Sequence, residues 1–193
     1  MVFQNKYTNP AKLEDFINSC VNRMQNMLSL DRSLQQHHGD SPTIWIPPTD
    51  GITKINVDIT FRNPETAVGI GYILRDSAGN FISAGTKSAN AGTSEQVECW
   101  GIHAAIQEGI RCNLKHVQIE SDSKAAVDYL QGKPTNLFWS SSFILDEAKV
   151  LSSFFGSVSF SFCCRTGNNI AHNLASEADL SSSVAHIYNR PPF

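Results

Sequence analysis

The sequence predicts an α/β domain built on a mixed sheet, and three observations carry that prediction. Apolar residues alternate strictly from Lys54 to Phe61, turn-forming residues Asp76-Ser77-Ala78-Gly79-Asn80 separate two further apolar runs, and the later strand-like runs stand singly between helical stretches. An antiparallel meander followed by strands divided by helices implies parallel pairing through right-handed crossovers in the second half. A chain of 193 residues and 21.2 kDa holds one ordinary domain with a short appendage. At 41% apolar and 17% charged residues it is globular in composition.

Net charge is −3 and pI about 6.0, so no chain-wide basic excess marks a phosphate binder, and any nucleic-acid contact must be local. No run approaches the roughly 18 apolar residues of a membrane span, and Met1 to Lys12 lacks the basic-then-apolar pattern of a signal peptide. The expectation is a soluble, intracellular protein that makes no membrane contact. Five cysteines (Cys20, Cys99, Cys112, Cys163, Cys164) without a C-x-x-C point to reduced thiols rather than a disulfide framework or a zinc ribbon.

In chain order, Leu13, Phe16, Ile17, Cys20, Val21, Met24 and Leu28 recur at three- and four-residue steps, the stripe of an amphipathic helix that must dock on the core or on a protein partner. Residues 31–48 carry His37, His38, Gly39, Pro42, Pro47 and Pro48 without a sustained period and read as a linker. The expected division is an appendage over 1–49, the domain over 50–182 and a tail over 183–193. Strand Lys54 to Phe61 puts Ile55, Val57, Ile59 and Phe61 on one face and Asn56, Asp58 and Thr60 on the other. The strands Val68 to Leu74 and Phe81 to Lys87 form the hairpin.

Thr93 or Ser94 then caps a helix that runs to about Arg111, with Gln96 placed for a capping box and Glu98 in the first turns. A strand over 116–120 delivers Asp122 at its carboxyl end, and Ser121-Asp122-Ser123 can cap a helix from Lys124 to Gln131, which Gly132 and Pro134 stop. A helix within 138–155, a strand over 157–164 and a helix from about Asn168 to Leu180 complete the order β-β-β-α-β-α-α-β-α.

A carboxylate in mid-strand (Asp58), one in a helix's first turns (Glu98) and one at a strand end (Asp122) are the parts of a hard-cation site, because magnesium takes oxygen ligands. The plainer alternative is scattered solvated or capping carboxylates, with Asp122 a helix cap and nothing more. Cys99 and His103, four apart, make half a zinc site with no matching second pair, so packing is the competing reading. Gly69-Ile-Gly71 lacks the third glycine of a dinucleotide loop and reads as a strand under close backbone packing. The loop Arg165-Thr-Gly-Asn-Asn169 either reaches a phosphate or only turns the chain.

Five segments together carry a family resemblance: Lys54-Ile-Asn-Val-Asp58; Gly69-Ile-Gly-Tyr-Ile-Leu-Arg-Asp-Ser-Ala-Gly-Asn80; the helix with Glu98; Val117-Gln-Ile-Glu-Ser-Asp-Ser123; and Asn168-Asn-Ile-Ala-His-Asn-Leu-Ala175. Over roughly Ile44 to Leu180 the chain closely resembles the plant ribonuclease H-like domain, which is similar to type 1 ribonuclease H and to the carboxyl-end domain of plant non-LTR retroelement reverse transcriptases. The segment before Trp45 looks like the connector that precedes the domain in those retroelement proteins. The resemblance implies a five-stranded mixed sheet with helices on both faces.

It also implies metal-dependent endonucleolytic hydrolysis of the RNA strand of RNA–DNA hybrids, with two ions, Mg2+ or Mn2+, in an acidic site. Carried over by position, Asp58, Glu98 and Asp122 are metal ligands, and with His172 at the fourth position they form the expected catalytic set; on the phosphate-reaching reading of the loop, Arg165, Asn168 and Asn169 are the expected substrate contacts. Two positions depart from the family pattern. His172 stands where type 1 enzymes place an Asp, removing a negative charge and offering nitrogen, which suits manganese or zinc better than magnesium. Ile59 stands where the family commonly has Gly. These departures separate the hydrolase reading from its alternative, a catalytically impaired nucleic-acid-binding or protein-interaction module on the same fold.

Overall fold

A computed structural model describes residues 44–188 apart from 62, 64, 91, 179 and 183. The amphipathic segment 13–28, His37 and His38 lie outside the described residues. Six strands form one sheet in the order β5-β4-β1-β2-β3-β6. These are β1 (Thr53–Thr60), β2 (Val68–Arg75), β3 (Phe81–Ala89), β4 (His116–Ser121), β5 (Ser157–Phe162) and β6 (His186–Tyr188). β1, β2, β3 and β6 run antiparallel in turn, while β1, β4 and β5 are parallel neighbours. The helices are α1 (Ser94–Arg111), α2 (Lys124–Leu130), α3 (Trp139–Ser152) and α4 (Asn169–Ser176), the last preceded by a 3-10 turn, Arg165–Asn168.

The alternation in β1 is realised with both faces covered. Ile55, Val57 and Ile59 join Val68, Ile70, Tyr72 and Leu74 of β2 in the main core, against Ile102, Ala105 and Ile106 of α1 and Leu145 and Ala148 of α3. The other face of β2 turns Ile73 into a smaller cluster with Ala84, Ile170, Leu174 and Tyr188. α4 lies there, across β1 and β2, and Gly69 and Gly71 let it approach: a Cβ at either glycine would fall inside the backbone of Ala175. The reading of Gly69-Ile-Gly71 as a closely packed strand therefore holds. Gly71→Ala is expected to destabilise the chain by about 3 kcal/mol, the upper end for an added core carbon, because a backbone cannot step aside as a side chain can. Urea denaturation measures it, and a loss below about 0.5 kcal/mol would contradict this packing.

Local signals act as expected at α1. Thr93 Oγ1 accepts from Gln96 N at 3.2 Å, and Gln96 Oε1 reaches back to accept from Gly92 N, one residue earlier than in a standard capping box. Among the described residues the sheet has six strands where five were expected. His186–Tyr188 pairs with the open edge of β3 and buries Tyr188, within the stretch expected as tail. Three residues are too few to show a period, so the pairing depends on the unfilled hydrogen-bonding edge of β3 rather than on local sequence. The last helix also stops at Ser176 instead of Leu180, and its expected start is taken by the 3-10 turn.

The expected linker ends inside the folded body. Trp45 is buried, its Nε1 donates to Asn56 Oδ1 at 2.8 Å, and its ring stacks 3.8 Å from the Arg75 guanidinium. Arg75 also donates to Asn56 Oδ1, Asn56 Nδ2 donates to Glu120 Oε2, and Lys54 pairs with Glu120 at 2.9 Å and donates to the carbonyl of Ile46. The polar face of β1 is thus tied to β4 and closed over by Trp45, which moves the start of the packed body ahead of Asp50. No helix among the described residues is long and apolar enough to cross a membrane.

Candidate active site

The parallel register of β1 and β4 pairs Val57 with Ser121, so Asp58 and Asp122 follow at the same level, at the carboxyl ends of two adjacent strands. This is where the sheet switches direction, since β1 is parallel to β4 and antiparallel to β2. α1 crosses behind and brings Glu98 to the same place. A cleft of about 440 Å³ results, lined by Asp58, Glu98, Asp122, Arg165 and His172 together with Ser94, Thr60 and Ser176. Asp58, Glu98, Asp122, Arg165 and His172 were expected from the sequence; Ser94, Thr60 and Ser176 were not, since single hydroxyls carry no sequence pattern that distinguishes them.

Asp122 does not act as a helix cap. Ser123 holds the N-cap position of α2 without a side-chain bond, Ser123 N donates instead to Ser121 Oγ, and Asp122 Oδ1 is buried with no hydrogen-bond partner. Asp58 Oδ1 accepts from Ile59 N at 2.7 Å, which fixes the carboxylate plane. Its Oδ2 lies 3.1 Å from His172 Nδ1, an ion-pair distance once the ring is protonated, but not aligned as a hydrogen bond, so this buried oxygen also lacks a donor. Arg165 Nη2 stands 3.5 Å from the same His172 nitrogen. One imidazole therefore separates a carboxylate from a guanidinium.

Burial and mutual repulsion set the electrostatics. Burial first, and the charge of Asp122 second, push Asp58 up to about 6, against the opposing pull of Ile59 N–H, His172 and Arg165. Glu98 is pushed up to about 8 by burial, then by Asp122 and Asp58. Asp122 is raised too, by burial, with Arg165 pulling it back. Three carboxyls that resist ionising, two of them with a buried oxygen lacking a donor, form a set that a hard cation would satisfy. The fit is of chemistry, since among the described residues no three His, Cys, Asp or Glu side chains already close around one point as a metal cage.

The sign of the resulting pH dependence follows from linkage. A carboxyl whose pKa is higher folded than unfolded makes the folded chain bind more protons, so its contribution is present below the unfolded value near 4 and is lost as pH rises through the folded value. For Asp58 the loss runs from about pH 4 to 6 and for Glu98 on to about pH 8. Two pKa units at Asp58 correspond to on the order of 3 kcal/mol. Metal-free protein is expected to melt lower at pH 8 than at pH 5, and millimolar Mn2+ to restore part of the difference at pH 8. A melting temperature unchanged by pH and by Mn2+ would sink this account of the cluster.

Of the three expected substrate contacts, Arg165 and Asn169 are exposed, but Asn168 is turned inward. At 1% exposure its Nδ2 donates to Val57 O at 2.8 Å, clamping the backbone one residue before Asp58. The 3-10 turn rotates position 168 toward the sheet, which a loop reading could not show. Cys99 and His103 do not form a half-site: burial raises the Cys99 thiol to about 12, and His103 Nε2 faces Glu147 at 3.5 Å. The Lys54-Asn56-Arg75-Glu120 network was also missed. The signal that could have found it is the run of polar residues on the inward face of β1.

An antiparallel meander continued by parallel strands, with an acidic cleft at the switch point, defines a ribonuclease H-like fold. The chain belongs to the reverse transcriptase-like family, whose profile matches residues 56–178. No curated protein matches the sequence significantly. Among solved structures, the chain resembles the ribonuclease H1 of the halophilic archaeon Halobacterium salinarum, at 20% identity and a TM-score of 0.62 over 66% of this chain and 96% of that one. It is similar to the N-terminal ribonuclease H domain of a Mycobacterium tuberculosis protein, at 19% identity and a TM-score of 0.61 over 66% and 92%. A ribonuclease H1 named LC11, solved in complex with an RNA/DNA hybrid, matches at 18% identity and a TM-score of 0.60 over 65% and 95%.

Proposed function

We propose that the cleft hydrolyses the RNA strand of RNA–DNA hybrids with divalent metal ions, as an endonuclease of retroelement origin. The observation that carries the proposal is the meeting of Asp58, Glu98 and Asp122 on one cleft, with buried oxygens of Asp58 and Asp122 left without donors. The hybrid bound to the similarly folded LC11 structure supports this choice of substrate class. In this reading Asp58, Glu98 and Asp122 hold the cations, Mg2+ or Mn2+. Ile59 N–H and the Asn168 clamp keep Asp58 oriented, and the exposed Arg165 and Asn169 meet the phosphate backbone. The chemistry such ions supply when bound is activation of the attacking water and stabilisation of the leaving oxygen. His172 lines the same cleft, its Nδ1 3.1 Å from Asp58 Oδ2 and 3.5 Å from Arg165 Nη2, which places its ring beside the ligand carboxylates.

A second reading is favoured by one specific observation, the 3.1 Å approach of His172 to Asp58. A protonated ring there supplies positive charge where a cation would otherwise sit, which suits a domain that binds nucleic acid without cutting it. A hybrid-cleavage assay with magnesium and manganese side by side decides between them. Cleavage under either metal, lost in Asp58→Asn, supports the hydrolase. Tight hybrid binding with no cleavage under both metals leaves the binding module. The amino-terminal segment as an appendage, with the domain following it, belongs to the same proposal.

A further inference from the structure

Position 59 is where the family commonly has Gly, yet the backbone there does not call for one. Among the described non-glycine residues Asn113 alone has a positive φ, so Ile59 sits in ordinary strand geometry, paired with Ile70 of β2. Its side chain borders the cleft but is spent inward: at 8% exposure it belongs to the main core, on the face of β1 that α1 covers. The residue it meets there is Gly101. A Cβ on Gly101 would lie 2.9 Å from Ile59 Cγ2 and 3.4 Å from Val57 Cγ2, so the bare backbone of α1 rests directly on this part of β1.

The contact stands between two of the cleft's carboxylates. Asp58 precedes Ile59 on β1, and Glu98 lies three residues before Gly101 on the same side of α1, about 4.5 Å along the helix axis. Resting on the reading of the cleft as a divalent-cation site, we propose that Ile59, seated in the notch at Gly101, is a positioning residue that sets the separation of Asp58 and Glu98 for that cation.

Stiffness suits Ile59 to this role. A β-branched side chain holds one χ1 state, and its Cγ2 cannot swing aside without driving Cγ1 into the packed core. The main chain is held as well, by the ladder to β2 and by the Ile59 N–H bond to Asp58 Oδ1 at 2.7 Å. The spacing of α1 from β1 is therefore fixed at the level of the cleft. Two carbons relax to about 3.5–4.0 Å, so a methyl on Gly101 lifts α1 by roughly 0.6–1.1 Å. The oxygen ligands of a cation are held to within about 0.2 Å, so a displacement of that size is felt at the site.

Three full-length variants, each compared with the parent well below its melting temperature, test the assignment: Gly101→Ala, Gly101→Ala with Ile59→Leu, and Gly101→Ala with Ile59→Val. Alanine's higher helix propensity offsets part of the clash and keeps the first variant folded. Leucine conserves the volume of Ile59 and removes the methyl on Cβ, whereas valine retains that methyl. Mn2+ affinity, read by calorimetry, is expected to fall about tenfold or more in Gly101→Ala, to recover with Ile59→Leu and to stay low with Ile59→Val. A role confined to packing would lower the melting temperature and leave the affinity of the folded chain unchanged. That result, or a recovery with valine equal to that with leucine, overturns the proposal. If the parent takes up no Mn2+, the cation reading and the proposal fall together; if the parent binds Mn2+ and Gly101→Ala binds it as tightly, the cation reading stands and the positioning role alone falls.

Discussion

Asp122→Asn is expected to cut metal-dependent cleavage of hybrid by about 10³-fold or more, while raising the melting temperature of the metal-free protein at pH 8. The activity loss exceeds the 10²–10³-fold typical of one lost preorganised donor, because a ligand carboxylate supplies full charge rather than a dipole. The stability gain follows from the same charge: Asp122 is the leading charge pushing up both Asp58 and Glu98, and its neutral amide relieves both. The backbone here does not depend on the side chain, since Ser121 Oγ and not Asp122 bonds the turn before α2. The two measurements move in opposite directions only if the cluster trades stability for cation binding. A variant that loses activity and also melts lower at pH 8 would instead make Asp122 structural.

His172→Asp is expected to raise magnesium-dependent cleavage by roughly tenfold, a change of about 1.4 kcal/mol in transition-state stabilisation. It replaces a nitrogen with hard oxygen and takes the potential charge of the cluster from −3 to −4. The cost lies in the metal-free state. At the position of a ring nitrogen 3.1 Å from Asp58 Oδ2, a carboxylate brings a second negative charge and therefore repulsion. The metal-free variant should therefore melt lower than its parent, and the rise on adding Mg2+ should be larger. If the parent cleaves under neither metal and His172→Asp restores nothing, the hydrolase reading falls and the binding module stands.

Much of the fold was legible because its signals are local and strong. β1 shows a clean two-residue period over eight residues, Thr93 and Gln96 mark the start of α1, and the Asp76 to Asn80 turn joins β2 to β3. Signals of this kind survive without knowledge of neighbours. β6 did not survive, since His-Ile-Tyr acquires meaning only beside the free edge of β3. Trp45 was hidden for the opposite reason: Pro47 and Pro48 mark a linker truthfully by composition, while the tryptophan between them and the segment before folds back onto Arg75 and Asn56.

By itself, the sequence determined the order and kind of the elements from β1 to the last helix, apart from the 3-10 turn, together with the positions of three carboxylates and the substitution at His172. Period, caps and turns are properties of neighbouring residues, and so can be read in one dimension. Only the tertiary structure decided that Asp58 and Asp122 stand level on adjacent strands, that Asp122 is no cap, and that Asn168 turns inward to clamp Val57. It also decided the burial that lifts Asp58 to about 6 and Glu98 to about 8. The physical reason is that repulsion and desolvation depend on distances across the sheet. Asp58 and Asp122 are separated by a hairpin and a helix along the chain, and no local pattern encodes how closely their carboxylates meet.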